Sequence, residues 1–405
     1  MEYDFDTIHQ RTNSNSIKWD FMYKNGVLQQ RKTGDDPLAA DSLLPMWVAD
    51  MDFAIPQPVI DALTYCAKNG IFGYSRPTDG YYESIINWMW RRHDWQVERD
   101  WILTTSGVMP AICMLIQTFT EPGDKIIVQT PLFNPIFQAI EENGRVVANN
   151  RLLYDNGRYL MDFADLATKA ADPYTKMIIL CSPHNPVGRV WSHAELHRLG
   201  EICTQHDVLI VSDEIHADLT YSWASFTTFG VVDAAFNNRF IFCSSPSKTF
   251  NLPGLQTANT IIPNKALREQ FLLTLQKMNQ LFGYNIFGIL ALQTAYEQGQ
   301  EWLTQLIAYL ETNYSYLQTY LAEHLPQLTA VRPDALYLIW IDCHALELDS
   351  KSLKSLFFEE AKVYLTEGST YGIEGNGFVR LNIACPRPIL TNALERIRHA
   401  VNRLD

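Results

Sequence analysis

Between residues 101 and 262 the chain alternates short apolar runs with segments of helical periodicity, and this alternation constrains its fold more than any other feature. Candidate strands fall at 101–104, 125–129, 145–148, 176–181, 208–212, 239–244 and 257–262. Several, such as Met177-Ile178-Ile179-Leu180-Cys181, are apolar at nearly every position, as expected of strands covered on both faces. Candidate helices lie between them at 108–119, 135–143 and 192–206. The last opens on a capping box, with Ser192 as N-cap and Glu195 three residues on. Strand–helix alternation of this kind predicts an α/β fold with a mostly parallel, doubly covered sheet.

The flanks read differently. Residues 1–45 are polar and rich in turns, including Thr33-Gly34-Asp35-Asp36-Pro37, and suggest an arm rather than a domain. Residues 266–324 are helical for a long way. Residues 328–405 then mix strands (336–341, 378–383) with helices (352–361, 391–404), as in a smaller α+β domain. The expected division is an N-terminal arm over 1–50, packing near the small domain, a large domain over 51–290 and a small C-terminal domain over 291–405. A chain of 405 residues has room for one large core plus a smaller one.

With 45 acidic against 32 basic residues, the net charge is −13, which repels phosphate backbones and argues against nucleic acid as a partner. The acidic N-terminus lacks an apolar signal core, and no apolar stretch approaches a membrane span, so the cytoplasm is expected. The seven cysteines include no C-x-x-C pair and several sit in apolar runs. They read as free thiols in a reducing compartment, and no metal is called for.

Four motifs carry chemistry. The stretch Ser244-Ser245-Pro246-Ser247-Lys248-Thr249-Phe250-Asn251-Leu252-Pro253-Gly254-Leu255 follows a candidate buried strand. Desolvation there disfavours the ammonium form of Lys248 and frees its amine to attack an aldehyde, while the serines can donate to a phosphate. An isolated S-x-x-K is more often a solvated loop, and it also opens some serine acyl-transfer enzymes. In Val208-Leu209-Ile210-Val211-Ser212-Asp213-Glu214-Ile215-His216 an apolar strand delivers Asp213 to the carboxyl edge of the sheet, where open α/β folds bind ligands. Such a carboxylate can keep a pyridine nitrogen protonated, or equally cap a helix or bind a metal. Asn185, in Ser182-Pro183-His184-Asn185-Pro186, is held between prolines, where its amide could reach a phenolate oxygen or simply make a turn. Thr105-Ser106-Gly107-Val108-Met109-Pro110 runs from a strand into a helix, whose first N–H groups form a phosphate cradle.

In this order and spacing the motifs resemble those of the class I/II aminotransferase superfamily of pyridoxal-phosphate (PLP) enzymes, fold type I. Three further stretches carry a narrower likeness, to the cystathionine β-lyase-like C–S lyases of the MalY/PatB type: Pro45-Met46-Trp47-Val48-Ala49-Asp50-Met51-Asp52-Phe53, Phe72-Gly73-Tyr74-Ser75 and Phe378-Val379-Arg380-Leu381-Asn382-Ile383-Ala384-Cys385-Pro386-Arg387. The likeness runs from about Trp19 to the end. It implies a mostly parallel seven-stranded sheet covered by helices and a smaller C-terminal α+β domain.

It also implies roles. Lys248 would hold PLP and later move the substrate's α-proton. Asp213 would face the pyridine nitrogen and Asn185 the ring's O3′. Gly107, Val108, Met109, Ser245 and Ser247 would surround the phosphate, and Phe133 would stack on the ring. Arg380 would clamp the substrate carboxylate, a bidentate task suited to guanidinium. Trp47 would wall the substrate side, and Tyr74 would reach the neighbouring subunit's site, making a homodimer. Three positions depart from the aminotransferase pattern. His216 stands where transaminases carry tyrosine, as in the lyase branch, although a purely structural histidine fits too. Phe133 lacks the phenol that many relatives have, and Gln256 replaces a phosphate-binding arginine.

The implied reaction is α,β-elimination from an amino-acid thioether. Loss of the α-proton expels a thiolate from Cβ, water hydrolyses the resulting aminoacrylate to pyruvate and ammonia, and L-cystathionine would yield homocysteine. The alternatives are an aminotransferase, which would require a 2-oxo acid, and a regulatory protein on this fold with secondary lyase activity.

Overall fold

The computed structural model describes residues 2–24, 26–31, 38–39, 42–281 and 284–404. The Thr33–Pro37 turn lies outside the described residues. Its centre is a seven-stranded sheet built from β1 (Ile102–Thr105), β2 (Lys125–Val128), β3 (Val146–Asn149), β4 (Thr175–Cys181), β5 (Leu209–Asp213), β6 (Phe240–Ser244) and β7 (Ala258–Ile261). The strand order is β1-β7-β6-β5-β4-β2-β3. Only β7 runs antiparallel to its neighbours, and the other pairs are parallel. All seven expected strands are present, each within a residue or two of the bounds read from the sequence.

Alternation along the strands explains why the sheet needs cover on both sides. Ile179, Val211, Ile241 and Cys243 face one core, with helices Val108–Phe119, Asn134–Glu142 and Lys265–Lys277. Ile178, Leu180, Ile210 and Phe242 face the other, with helices Phe163–Ala170 and His193–Gln205. The capping box of the latter forms as expected: Ser192 Oγ accepts from the Glu195 N–H, and the Glu195 carboxylate accepts from the Ser192 N–H at 2.8 Å.

The chain between 265 and 324 forms three helices, Lys265–Lys277, Ile286–Gln298 and Gln300–His324. Residue 290 falls inside the second, which packs on helices Gln57–Asn69 and Asp79–His93. The C-terminal part forms an antiparallel sheet of β8 (Thr329–Ala330), β9 (Leu338–Asp342), β10 (Thr366–Glu367) and β11 (Phe378–Asn382), in the order β8-β9-β11-β10. Residues 352–361, expected as one helix, divide into a short α-helix ending at Lys354 and a π-helical turn over Ser355–Glu360. The N-terminal arm meets this part directly, because Leu44–Pro45 pairs in parallel with Val363–Tyr364. Among the described residues no helix is long and apolar enough to cross a membrane.

Candidate active site

The carboxyl ends of β4, β5 and β6 stop side by side, with Asp213 opposite both Cys181 and Cys243. The turns that follow converge on a cavity of about 230 Å³. Ser106, Gly107, Val108, Met109, Phe133, Asn185, Asp213, His216, Ser245, Ser247 and Lys248 all line it. Of the expected cofactor residues, only Tyr74 is not in that lining. It is 90% exposed, on the loop between helices Gln57–Asn69 and Asp79–His93.

Lys248 sits on a short helix, Pro246–Thr249, directly after β6. Ser245 caps that helix. Its Oγ accepts from the Ser247 N–H at 3.1 Å and donates to the Thr257 carbonyl at 2.6 Å. Lys248 Nζ donates to the Ala49 carbonyl at 2.8 Å. Burial, aided by the Arg380 charge, lowers its pKa to about 8, although Asp50 and Asp213 pull the other way. Asp213 shifts oppositely. Burial raises it to about 6, against the Ile215 N–H that bonds its Oδ1 and the nearby Lys248. A buried carboxyl short of positive partners gains most from a ligand that brings a cationic nitrogen.

Arg380, 4% exposed, comes from β11 in the other sheet. Its Nη2 donates to the Trp47 carbonyl at 2.7 Å and to Thr366 Oγ1 at 3.3 Å, and its Nη1 donates to Asn185 Oδ1 at 3.2 Å. These acceptors are uncharged, and its buried Nε has no partner among the described residues. A guanidinium so placed still has its charge to offer. His216 is buried, and its Nδ1 has no partner among the described residues. Burial, then Lys248 and Arg380, hold its pKa well below normal, so the ring is neutral.

Trp47 meets the site through its backbone. Its ring stacks on Tyr364 with centroids 4.6 Å apart and its Nε1 donates to the Lys18 carbonyl, while its carbonyl holds Arg380. The Trp47 ring is not among the residues that line the cavity, and its carbonyl is what reaches Arg380.

Several residues that build this region carry no signal of that role in the sequence. Asn382 Nδ2 donates to the carbonyls of Val48 and Asp50. Asn251 Nδ2 donates to those of Met51 and Phe53. Tyr337 donates to the same Ala49 carbonyl that takes Lys248. On the far side Asp52 accepts from the fully buried Lys18 at 2.7 Å, from Arg11 and from Trp19. Residues 47–53 thus form a strap tied at both edges. The motif Pro45–Phe53 marks its place, but nothing in it tells carbonyl grips from side-chain contacts.

This donor set fits a pyridoxal phosphate. It offers an amine that can be neutral near pH 8, a carboxyl for a ring nitrogen and the flat face of Phe133. For a phosphate it offers the first turn of helix Val108–Phe119 and the Ser247 hydroxyl. Gly107 keeps that turn open, since a Cβ there would stand 3.2 Å from Pro110 Cδ.

The aminotransferase class I and II family model matches residues 46–397. The chain is 41% identical over 399 residues to cystathionine beta-lyase PatB of Bacillus subtilis (strain 168), covering 98% of this chain and 100% of that protein. It is 31% identical to Protein MalY of Escherichia coli (strain K12), covering 98% and 99%. The crystal structure of cystalysin from Treponema denticola, which contains a pyridoxal 5'-phosphate cofactor, matches with a TM-score of 0.93 and 33% identity over the whole of both chains.

Proposed function

We propose, from the premise that this chain belongs to the aminotransferase class I and II family and to its cystathionine β-lyase-like branch, that it is a carbon–sulfur lyase that cleaves cysteine S-conjugates. Its substrates are amino-acid thioethers such as L-cystathionine, and its products are a thiol, pyruvate and ammonia. Its cofactor is pyridoxal 5′-phosphate, which when bound supplies an electron sink joined to the substrate's Cα.

One observation carries the reading. A lysine lowered to about 8 and a carboxyl raised to about 6 line one cavity, and an arginine with only neutral acceptors is joined to its wall through Asn185. From it we assign the roles. Lys248 holds the cofactor and, as a neutral amine, takes the α-proton. Asp213 stabilises the protonated ring nitrogen. Asn185 turns its acceptor oxygen to Arg380, leaving its NH₂ to donate to the ring oxygen. Gly107, Val108 and Met109 present N–H groups to the phosphate, with Ser247 beside them. Ser245 is already donating to Thr257, so its main service is to cap the lysine's helix. Arg380, aimed by the Trp47 carbonyl, grips the substrate carboxylate and turns the Cα–H bond toward Lys248. As the proton leaves Cα, the Cβ–S bond breaks and sulfur departs with its electron pair.

We further assign a homodimer in which Tyr74 serves the neighbouring copy. The exposed Ile71, Phe72 and Tyr74 support it, as apolar surface of this kind favours a partner. The seven free cysteines favour a reducing, cytoplasmic setting.

The test is to supply L-cystathionine to the cofactor-loaded protein and count products. Equal amounts of thiol and pyruvate, with no 2-oxo acid added and none from Lys248→Ala, are expected. Turnover that requires a 2-oxo acid and yields no pyruvate would make the protein an aminotransferase instead.

A further inference from the structure

Five residues beyond Asp213 another buried carboxylate, Asp218, has no part in the chemistry assigned above. It is 5% exposed, yet it is densely bonded. Oδ2 accepts from Thr249 Oγ1 at 2.8 Å. Both oxygens lie 3.2 Å from Trp88 Nε1. Oδ1 is 3.0 Å from His93 Nε2 and 3.6 Å from Arg92 Nε. Burial alone would raise its pKa, but His93, Arg92 and Thr249 together bring it below the ordinary carboxylate value.

The partners come from two places. Trp88, Arg92 and His93 belong to helix Asp79–His93, whose end faces this turn. Thr249 is the residue after Lys248. Helical threonines commonly return their hydroxyl to a carbonyl one turn back. This one instead reaches across to the turn that leaves the neighbouring strand. The β5–β6 ladder ends at Asp213 and Cys243. Just past it, Glu214 N–H bonds the Cys243 carbonyl, and Ser244 Oγ bonds the Glu214 carbonyl. Further out, Thr249 to Asp218 joins the turn carrying Lys248 to the turn that follows Asp213.

We propose that Asp218 is a positioning residue which, through Thr249, sets where Lys248 stands relative to Asp213. The proposal rests on the reading of Lys248 as the cofactor's lysine. A buried carboxylate is costly to desolvate, and three donors, Thr249, Trp88 and His93, together with the Arg92 charge offset that cost. All but Thr249 anchor Asp218 to a helix outside the cavity, so Thr249 transmits a fixed position to the catalytic turn.

The test uses the cofactor-loaded enzyme and Thr249→Val, which keeps the shape and removes the hydroxyl. Expected are a kcat per bound cofactor lowered about tenfold, or about 1.4 kcal/mol, a KM within about twofold of the parent, and a displaced pH midpoint of the cofactor's visible absorbance. Thr249→Ser should restore kcat and midpoint together. A Thr249→Val enzyme with parental kcat per site and parental midpoint overturns the proposal, whatever its Tm. If Thr249→Val does not fold, Thr249→Ser and Thr249→Ala decide, since both lack the methyl. Serine near parent and alanine impaired supports positioning, whereas equal behaviour overturns it. Lys248→Ala distinguishes the underlying reading: if it keeps the absorbance band and turnover, that reading fails first.

Discussion

At one end of the cavity Lys248 and Asp213 stand on turns that leave adjacent parallel strands. Behind Asn185, in the cavity wall, Arg380 is aimed by a carbonyl 333 residues earlier in the chain. The first end inherits its geometry from a ladder buried on both faces. The second is assembled from a strap, an N-terminal arm and an inner strand of a second sheet. Their buried carboxylates differ in the same sense. Beneath the cofactor end, Glu214 accepts from Ser212 and the Phe229 N–H, and burial raises it to about 7. Under the strap, Asp52 is equally buried, but Lys18 and Arg11 hold it below the usual carboxylate range. Glu214 is thus held by neutral donors and packing, and Asp52 by charge pairing.

The largest test of that contrast is Asp52→Asn. It leaves the fully buried Lys18 without its closest charge partner, and a loss of about 3–5 kcal/mol of stability is expected by denaturant titration. In the surviving folded enzyme KM should rise while the cofactor stays bound. Loss of cofactor at unchanged KM would show that the two ends are not separate. Next in size is Arg380→Lys, which keeps the charge and loses the fork. A fall in kcat/KM of about 10- to 100-fold is expected from one charged hydrogen-bond arrangement, with the cofactor's absorbance unchanged. The smallest effect concerns pH. Glu214 has a folded pKa above its unfolded value, so its contribution is full below the unfolded value and is lost as pH rises through about 7. Asp52 has a depressed pKa, so its contribution is lost as pH falls through that lowered value. The Tm difference between parent and Glu214→Gln should therefore shrink, on the order of a few degrees, between about pH 5 and pH 8. The difference between parent and Asp52→Asn should instead shrink toward acid. Slopes of the same sign would contradict the contrast.

The same division governs what could be read from sequence. The seven strands were legible because strands covered on both faces are apolar at consecutive positions, as in Met177–Cys181. Their ends then placed Lys248, Asp213 and Asn185 by local logic. Helix Asp79–His93 escaped assignment, although Tyr81, Ile85, Trp88 and Met89 form a buried stripe at helical spacing that could have revealed it. Helix Gln57–Asn69 buries only Val59 among its thirteen residues and offers a weaker signal. The two-residue strands Thr366–Glu367 and Leu44–Pro45 are too short to carry any period. The strap was visible as a motif, but its working parts are carbonyl oxygens held by Asn382, Asn251 and Arg380. A carbonyl has no letter in the sequence, so the grips at Trp47 and Ala49 could not be read there. Asp218 likewise stood unread in Asp213–Leu219, because its partners lie on a distant helix and on the next turn.

The central claim is that Lys248 carries the cofactor opposite Asp213. Borohydride reduction of the loaded protein, followed by peptide mapping, tests it most directly. The account predicts a single phosphopyridoxyl mark on Lys248, with Asp213→Asn still marked there but inactive. A mark on any other lysine, or none on a coloured and active protein, would contradict it.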